Sequence, residues 1–490
     1  MRAEHTSLTN KAEIPPCFCF YKCDILNAVT KCGDNMEKTQ IKDFTKGNIP
    51  KQLVTFALPL FLSNLLQVVY NMVDMIIVGN VLGNSGISAV SVGGDVSNLL
   101  TFIAIGFASA GQVIIARYIG AGERNKIGKF TGTMFSFLIV CAIILSTFGL
   151  IFQTNILQIM NTPTEAFQGA LDYSVISMIG LVFIYGYNIV SAVMRGMGDS
   201  KHPFIFISIA AVLNVALDIL FVVYMDMGAG GASLATVISQ GVSFIACMVF
   251  LIIKRREFEL DIRVKDFLVW NTEMLISLIK LGTPMAIKFA SVMVSKLFVN
   301  SWINSYGVAI SAFAGIANKI SSIANLISTA MNTAGSTMVG QNLSAGEYDR
   351  VKKILKSLAV ITLSIATLLS ALICLFPTPF FSLFTDNNNT AVLSIAQGYV
   401  PIAVLLFFAS ALRAIMNALI NGSGNYKINF ATAILDGIVL RIGLALLFGL
   451  ALGMEHYGFW LGDALAGFTP FWIGLIYYLS GRWKNEKINS

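Results

Sequence analysis

Twelve mostly apolar runs of 20 or more residues recur along this chain, about one every forty positions. No other feature restricts the fold as much. A hydrocarbon core of roughly 30 Å takes about 20 residues of helix. Backbone N–H and C=O groups have no water partners there, so each run reads as a membrane-crossing α-helix. The spans fall at 53–79, 88–116, 130–152, 168–194, 204–225, 232–253, 275–303, 311–340, 354–376, 392–417, 428–452 and 458–480. With 56% hydrophobic and 12% charged residues, the composition lies far outside the soluble range. The connections check the count, because Lys and Arg collect in short cytoplasmic loops. From the second span onward, alternate connections and the C-terminal tail carry basic residues, as in Lys254, Arg255, Arg256, Arg263 and Lys265, and the other six connections carry none. Both termini are therefore expected in the cytoplasm. The formal charge of +7 reflects this asymmetry, and no nucleic-acid partner is expected.

A repeat at an offset of about 224 positions organises the spans. Pro59 in ALP matches Pro284 in GTP, and the tripeptide AGE at 121–123 recurs at 345–347. Gly111 and Lys129 match Gly335 and Lys353, while RGMGDSKHP at 195–203 answers INGSGNYKI at 420–428. Two six-helix halves follow. Six is even, so both halves enter the membrane in the same sense and are related about its normal, a parallel repeat. The expected division is a cytoplasmic tail at 1–48, a first lobe at 49–253 with helices one to six, a linker at 254–273, and a second lobe at 274–490 with helices seven to twelve. Pro59 and Pro284 each remove a hydrogen bond inside a span and are candidate hinges.

The first span carries a polar stripe. Asn64, Gln67, Asn71 and Asp74 are spaced by three, four and three residues and fall on one helical face. A carboxylate in a span faces a protein interior or a water-filled cavity and marks an ion or substrate path. The fifth span adds Asn214 and Asp218, four apart, and the sixth adds Thr236. At the helical rise, Asp74 lies ~30 Å and Asp218 ~20 Å from the inner ends of their spans, and Thr236 lies ~6 Å from the outer end of its own. All fall in the outer half of the membrane. Two carboxylates, an amide and a hydroxyl make a hard-oxygen set for a proton or a small cation such as sodium, and no other metal is expected. Ion binding there would compete with a cationic substrate, the minimum requirement for antiport. The cavity is expected to take its lining from Asn64, Gln67, Tyr70, Asn71, Asn188 and Lys288, with Met72, Met75, Tyr185, Tyr187 and Met194 as its apolar share.

The two halves differ in charge. The first carries Asp74, Asp95 and Asp218 at membrane depth, and the second carries Lys288, Lys296, Lys319, Arg413 and Arg441 with no acid expected within a span. No cofactor is expected. The segment 111–129 lacks phosphate-loop chemistry, since five residues separate Gly122 from Gly128 and Phe130 stands where Ser or Thr is needed. Three histidines and no HExxH motif argue against an enzyme. Cys17, Cys19, Cys23 and Cys32 crowd a tail that faces the reducing cytosol, and Met36 is an alternative start that would remove residues 1–35. Cys141, Cys247 and Cys374 sit in apolar spans as small hydrophobes.

Taken together, ALPLFLSNLLQVVYNMVDMIIVG at 57–79, IGAGE at 119–123, RGMGDSKHP at 195–203, NVALD at 214–218 and GGASLATVISQ at 230–240 resemble the multidrug and toxin extrusion (MATE) family, in its DinF-like prokaryotic branch. The resemblance covers about residues 46–480. It implies an all-α polytopic protein of twelve helices in two V-shaped lobes. It further implies multidrug efflux: export of amphipathic, often cationic compounds in exchange for protons or sodium, from a bacterial cytoplasmic (inner) membrane. In that branch a first-helix Asp, a fifth-helix Asn and Asp and a sixth-helix Thr form the coupling-ion site, which here are Asp74, Asn214, Asp218 and Thr236. Another branch places acids in the seventh and tenth helices, where this chain has Lys288 and Lys296 and no acid in the tenth. The expected partners are small organic cations and membrane lipid, with a monomer as the working unit. A flippase for a lipid-linked precursor is the alternative within the same superfamily, and it would favour a basic central cavity.

Overall fold

The computed structural model describes residues 41–255, 257–258, 270–382 and 390–486. The four tail cysteines, the start at Met36, and Arg256, Arg263 and Lys265 lie outside the described residues. Within them the chain is helical almost throughout. The first helical run, Ile49–Gly120, has 72 residues. At roughly 110 Å it is far too long for one crossing. It breaks at Gly83, whose φ of 67° and ψ of −154° are open to glycine and strained for any other residue. The break separates α1 (49–82) from α2 (84–120), within the gap expected between the first two spans.

The other crossings are α3 (Asn125–Ile159), α4 (Thr164–Gly196), α5 (Lys201–Tyr224), α6 (Gly228–Ile253), α7 (Thr272–Asn304), α8 (Val308–Ser344), α9 (Tyr348–Leu375), α10 (Thr390–Ser423), α11 (Tyr426–Ala451) and α12 (Glu455–Leu479). Among the described residues eleven helical runs have the length and apolar content to cross a membrane, and the first is long enough to cross twice, which makes twelve. Asparagines start three of them: Asn48, Asn271 and Asn425 each accept an N–H from the first turn of α1, α7 and α11. Two of these helices contain wide turns. After Asp218, α5 continues in wide π-type turns over Ile219–Tyr224, and α11 widens at Leu435–Val439 and again at Leu447–Ala451.

The repeat is visible in the backbone. Gly122 and Gly346, the middle residues of the two AGE turns, adopt φ of 77° and 78°. The left-handed conformation reverses the chain between α2 and α3 and again between α8 and α9, and a side chain there would be strained.

Two helices are shared between the lobes. Ile49, Leu53, Phe56 and Leu60 of α1 pack in one core with Ala334 and Met338 of α8, Leu358 of α9 and Leu419 of α10. Farther along, Val78 of the same helix joins a core with Ala89, Tyr173 and Val222 in the first lobe. The mirror arrangement holds for α7. Leu278, Leu281, Met285 and Ala286 lie in the first-lobe core with Phe107 and Ile114 of α2, whereas Val299 and Ile303 pack in the second lobe with Phe313 and Phe459. Close approach requires small residues here: a Cβ on Gly106 would sit 2.4 Å from the Ala286 backbone, and one on Gly282 would sit 2.2 Å from the Phe107 ring.

The lobes are bonded to each other at the end that carries the basic connections. Gln112 of α2 donates to Thr337 Oγ1 of α8 at 2.7 Å. Arg117 donates to Ser344 Oγ at 3.2 Å, to the Ser423 carbonyl at 2.8 Å and to the Glu486 carbonyl at 2.7 Å. Gly120 lies so close to α8 that a Cβ would be 2.0 Å from the Gln341 carbonyl oxygen. The lead-in strap is held from both sides, with the Lys42 N–H donating to the Met197 carbonyl and the Phe44 N–H donating to Gln341 Oε1 at 2.9 Å.

Candidate functional site

The first lobe buries a set of acceptor oxygens that no described residue satisfies. Asp74 of α1, Asn214 and Asp218 of α5 are 6%, 2% and 0% exposed. Asp74 Oδ1, Asn214 Oδ1 and both carboxylate oxygens of Asp218 are buried without a hydrogen-bond partner among the described residues. Thr236 of α6 is half-buried and accepts from Asn214 Nδ2 at 3.3 Å, which joins α5 to α6 and leaves the Asn214 carbonyl oxygen free to face a ligand. Asp218 lies within electrostatic reach of Asp74. Its place in the chain matters as well: it is the last regular residue before the wide turns of α5. Wide turns are frequent where a helix is shaped for a ligand.

Buried polar atoms are almost always paired, and an unpaired carboxylate costs several kcal/mol. Four orphan oxygens from two helices therefore describe a site completed by something cationic. Among the described residues no group of three or more His, Cys, Asp and Glu is placed to hold a metal. The donors present are hard oxygens, and they fit a proton or a sodium ion.

Around this set the polar stripe of α1 runs outward. Asn64, Gln67 and Tyr70 are half-buried and Asn71 is exposed, so the stripe passes from open space to the buried Asp74. Gln240 Nε2 reaches the Tyr70 hydroxyl at 3.5 Å. Asn188 is half-buried and donates to the Ile184 carbonyl of its own helix at 2.8 Å. Asp95 is half-buried on α2. The sequence reading missed Tyr173 of α4, a buried residue within electrostatic reach of Asp74, Asp218 and Tyr70. No spacing singles it out, because it reaches the site from the neighbouring helix. Tyr185, Tyr187 and Met194 do not line the cavity: all three are buried in the first-lobe core, where the tyrosine hydroxyls donate to the Leu100 and Pro203 carbonyls.

α1 and α7 remain helical through Pro59 and Pro284. Each proline sits where its helix leaves one lobe for the other, Pro59 beside Leu60 and Pro284 beside Met285.

The second lobe corrects the sequence reading outright. Acids do lie in its spans: Asp436 of α11 is fully buried and Asp463 lies in α12. Both are neutralised internally. Arg441 donates to Asp436 at 3.0 Å and to Asp463, and Arg413 Nη2 stands 3.7 Å from Asp436. Arg441 and Asp463 are offset by 227 positions from Asn214 and Thr236, the bonded pair of the first lobe. The same place in the repeat thus holds an open oxygen set in one lobe and a closed ion pair in the other. Lys288 Nζ donates to Asn417 Oδ1 of α10 at 2.7 Å, and Lys296 Nζ donates to Ser321 Oγ of α8 at 3.2 Å, so both bond within the second lobe.

Twelve crossings in two lobes, related by a parallel repeat and carrying uncompensated carboxylates in one of them, define a membrane transporter. The MatE family model matches residues 59–220 and again 284–447, one match for each half of the repeat. The chain belongs to the MATE family. It is 28% identical to the probable multidrug resistance protein YoeA of Bacillus subtilis, over 91% of this chain and 96% of that one. It is 29% identical to the probable multidrug resistance protein YpnP of the same organism, over 91% and 98%. Among solved structures, a MATE family multidrug resistance transporter of the MOP superfamily in an outward-facing conformation superposes with a TM-score of 0.83 at 20% identity, over 91% of this chain and 98% of that one.

Proposed function

We propose that this protein is a secondary active multidrug efflux antiporter of a bacterial cytoplasmic membrane, exporting amphipathic, often cationic compounds in exchange for protons or sodium. The observation that carries the reading is the set of orphan oxygens on Asp74, Asn214 and Asp218, with Thr236 beside them. An inbound cation that binds there completes the site, and the same acids attract a cationic cargo, so the two compete. Binding need only favour one arrangement of the lobes over the other to bias the cycle. The bonds at the basic end fit an arrangement closed toward the cytoplasm. α1 and α7 cross between lobes at Pro59 and Pro284, which makes these prolines the hinges of the exchange.

Proteoliposomes loaded with a fluorescent organic cation test the reading when a proton gradient and a sodium gradient are imposed separately. Efflux above the no-gradient rate with one of them is expected and identifies the ion. Efflux indifferent to both overturns the antiport.

Alternating access has its own test at the basic end. A Cβ on Gly340 would lie 3.6 Å from the Ala116 Cβ across the lobes. That spacing falls in the roughly 3.5–4.5 Å that disulfides use. In a background without the native cysteines, the Ala116→Cys/Gly340→Cys pair is expected to cross-link under mild oxidation, to arrest efflux, and to recover on reduction. Full efflux from the cross-linked protein would show that these ends never part.

A further inference from the structure

The interior of the second lobe carries more positive charge than its own acids offset. Among the described residues, Lys288 and Lys296 of α7, Arg413 of α10 and Arg441 of α11 lie within electrostatic reach of just two acids, Asp436 and Asp463. Arg441 engages both acids and Arg413 approaches one of them. The hydrogen bonds of the two ammonium groups go instead to neutral oxygens, on Asn417 and Ser321. Among the described residues neither lysine has a carboxylate within ion-pair distance. Both side chains are half-buried. Eight residues apart on α7, they stand about 12 Å apart along the axis and about 80° around it, so they border one wall facing α8 and α10. Ser321 and Asn417 are themselves buried, and Asn325 Nδ2 donates to Ser321 Oγ at 3.4 Å, which fixes the hydroxyl beside Lys296.

An ammonium at membrane depth with no counter-ion is costly, and the arrangement is completed by an anion. We propose that Lys288 and Lys296 form a binding site for the anionic group, a carboxylate, sulfonate or phosphate, of an amphipathic molecule. The site deepens the antiporter reading and rests on it: cargo would include zwitterions, with the cationic end drawn to the acids of the first lobe and the anionic end to this wall. Polarity of opposite sign in the two lobes then selects molecules by the separation of their charges as well as by their apolar surface.

The test compares tetramethylrhodamine, which carries a free carboxylate, with its methyl ester, which lacks that charge and is otherwise the same dye. Equilibrium binding is measured on the full-length protein in nanodiscs of zwitterionic lipid. Lys288→Gln/Lys296→Gln is expected to weaken the acid by about tenfold or more while the ester changes by less than about twofold. Equal loss of both dyes, or loss of neither, overturns the site. Should the double variant not fold, Lys296→Gln and Lys296→Arg take its place: the acid is expected to lose affinity in the first and keep it in the second, and parallel behaviour of the two overturns the proposal. Repeating the wild-type measurement with anionic lipid separates the two sources of such a group. Suppression of acid binding identifies a lipid headgroup as the resident anion, and unchanged binding identifies the cargo. No gradient enters this measurement. A failed antiport with intact discrimination between the dyes therefore removes the transport cycle and leaves the site, and the converse removes the site alone.

Discussion

Asp218→Asn is expected to abolish gradient-driven efflux while leaving the fold as stable as before or more so. The carboxylate is fully buried and neither of its oxygens has a partner among the described residues. Asparagine keeps its shape and removes the charge that binds the coupling ion. Coupling between two sites is typically ~1–3 kcal/mol, a factor of about 5 to 150, and that factor is what the variant forfeits in the ratio of efflux with and without the gradient. Stability moves the other way. An uncompensated buried charge is destabilising, so its removal relieves the lobe. Thermal unfolding in detergent beside the efflux assay separates the two effects. A variant that keeps its gradient dependence, or that loses efflux only because it melts early, removes Asp218 from the coupling site.

Arg441→Ala is expected to do the opposite. Its guanidinium bonds the buried Asp436 and the half-buried Asp463 inside the second lobe, and its removal leaves both carboxylates without a bonded cation, Arg413 standing 3.7 Å from Asp436. Breaking a buried ion pair by deleting one partner costs ~3–5 kcal/mol. Replacing all the members by neutral groups is often neutral or stabilising. The quadruple variant Arg413→Leu/Arg441→Leu/Asp436→Asn/Asp463→Asn, which also removes the cation beside Asp436, is therefore expected to regain most of the lost melting temperature. Rescue of stability with normal gradient dependence would mark the triad as structural. Rescue of stability without transport would give the second lobe a share in coupling.

Reading the sequence placed the twelve crossings and the acidic set of the first lobe because each rests on a period or a charge that one helix displays by itself. Asn214 and Asp218 are four apart, and a regular helix puts them on one face. Gly83 ends the first crossing inside a gap that the apolar pattern already marked. Asp436 and Arg441 illustrate what such a period hides. Five residues apart, they point about 140° from each other on a regular α-helix and do not read as a pair. The wide turn over Leu435–Val439 bonds residues five apart and brings them together. Asp463 closes the triad from another helix, and Tyr173 reaches the ion site in the same manner. Lobe membership was also hidden, since α1 and α7 each have two apolar halves and the pattern does not say which core each half fills.

That exchange of halves has a consequence for how the protein is made. The ribosome delivers the helices in order, and the first six leave a vacancy beside Phe107 and Ile114 that Leu278, Leu281 and Met285 of α7 fill. The opening turns of α1 wait longer, until α8, α9 and α10 supply the surface on which Leu53 and Phe56 rest. The first lobe is not a finished unit when its own last helix has been inserted, and the second closes over the oldest crossing in the chain. A nascent chain halted after the sixth helix presents the membrane with an unfinished core.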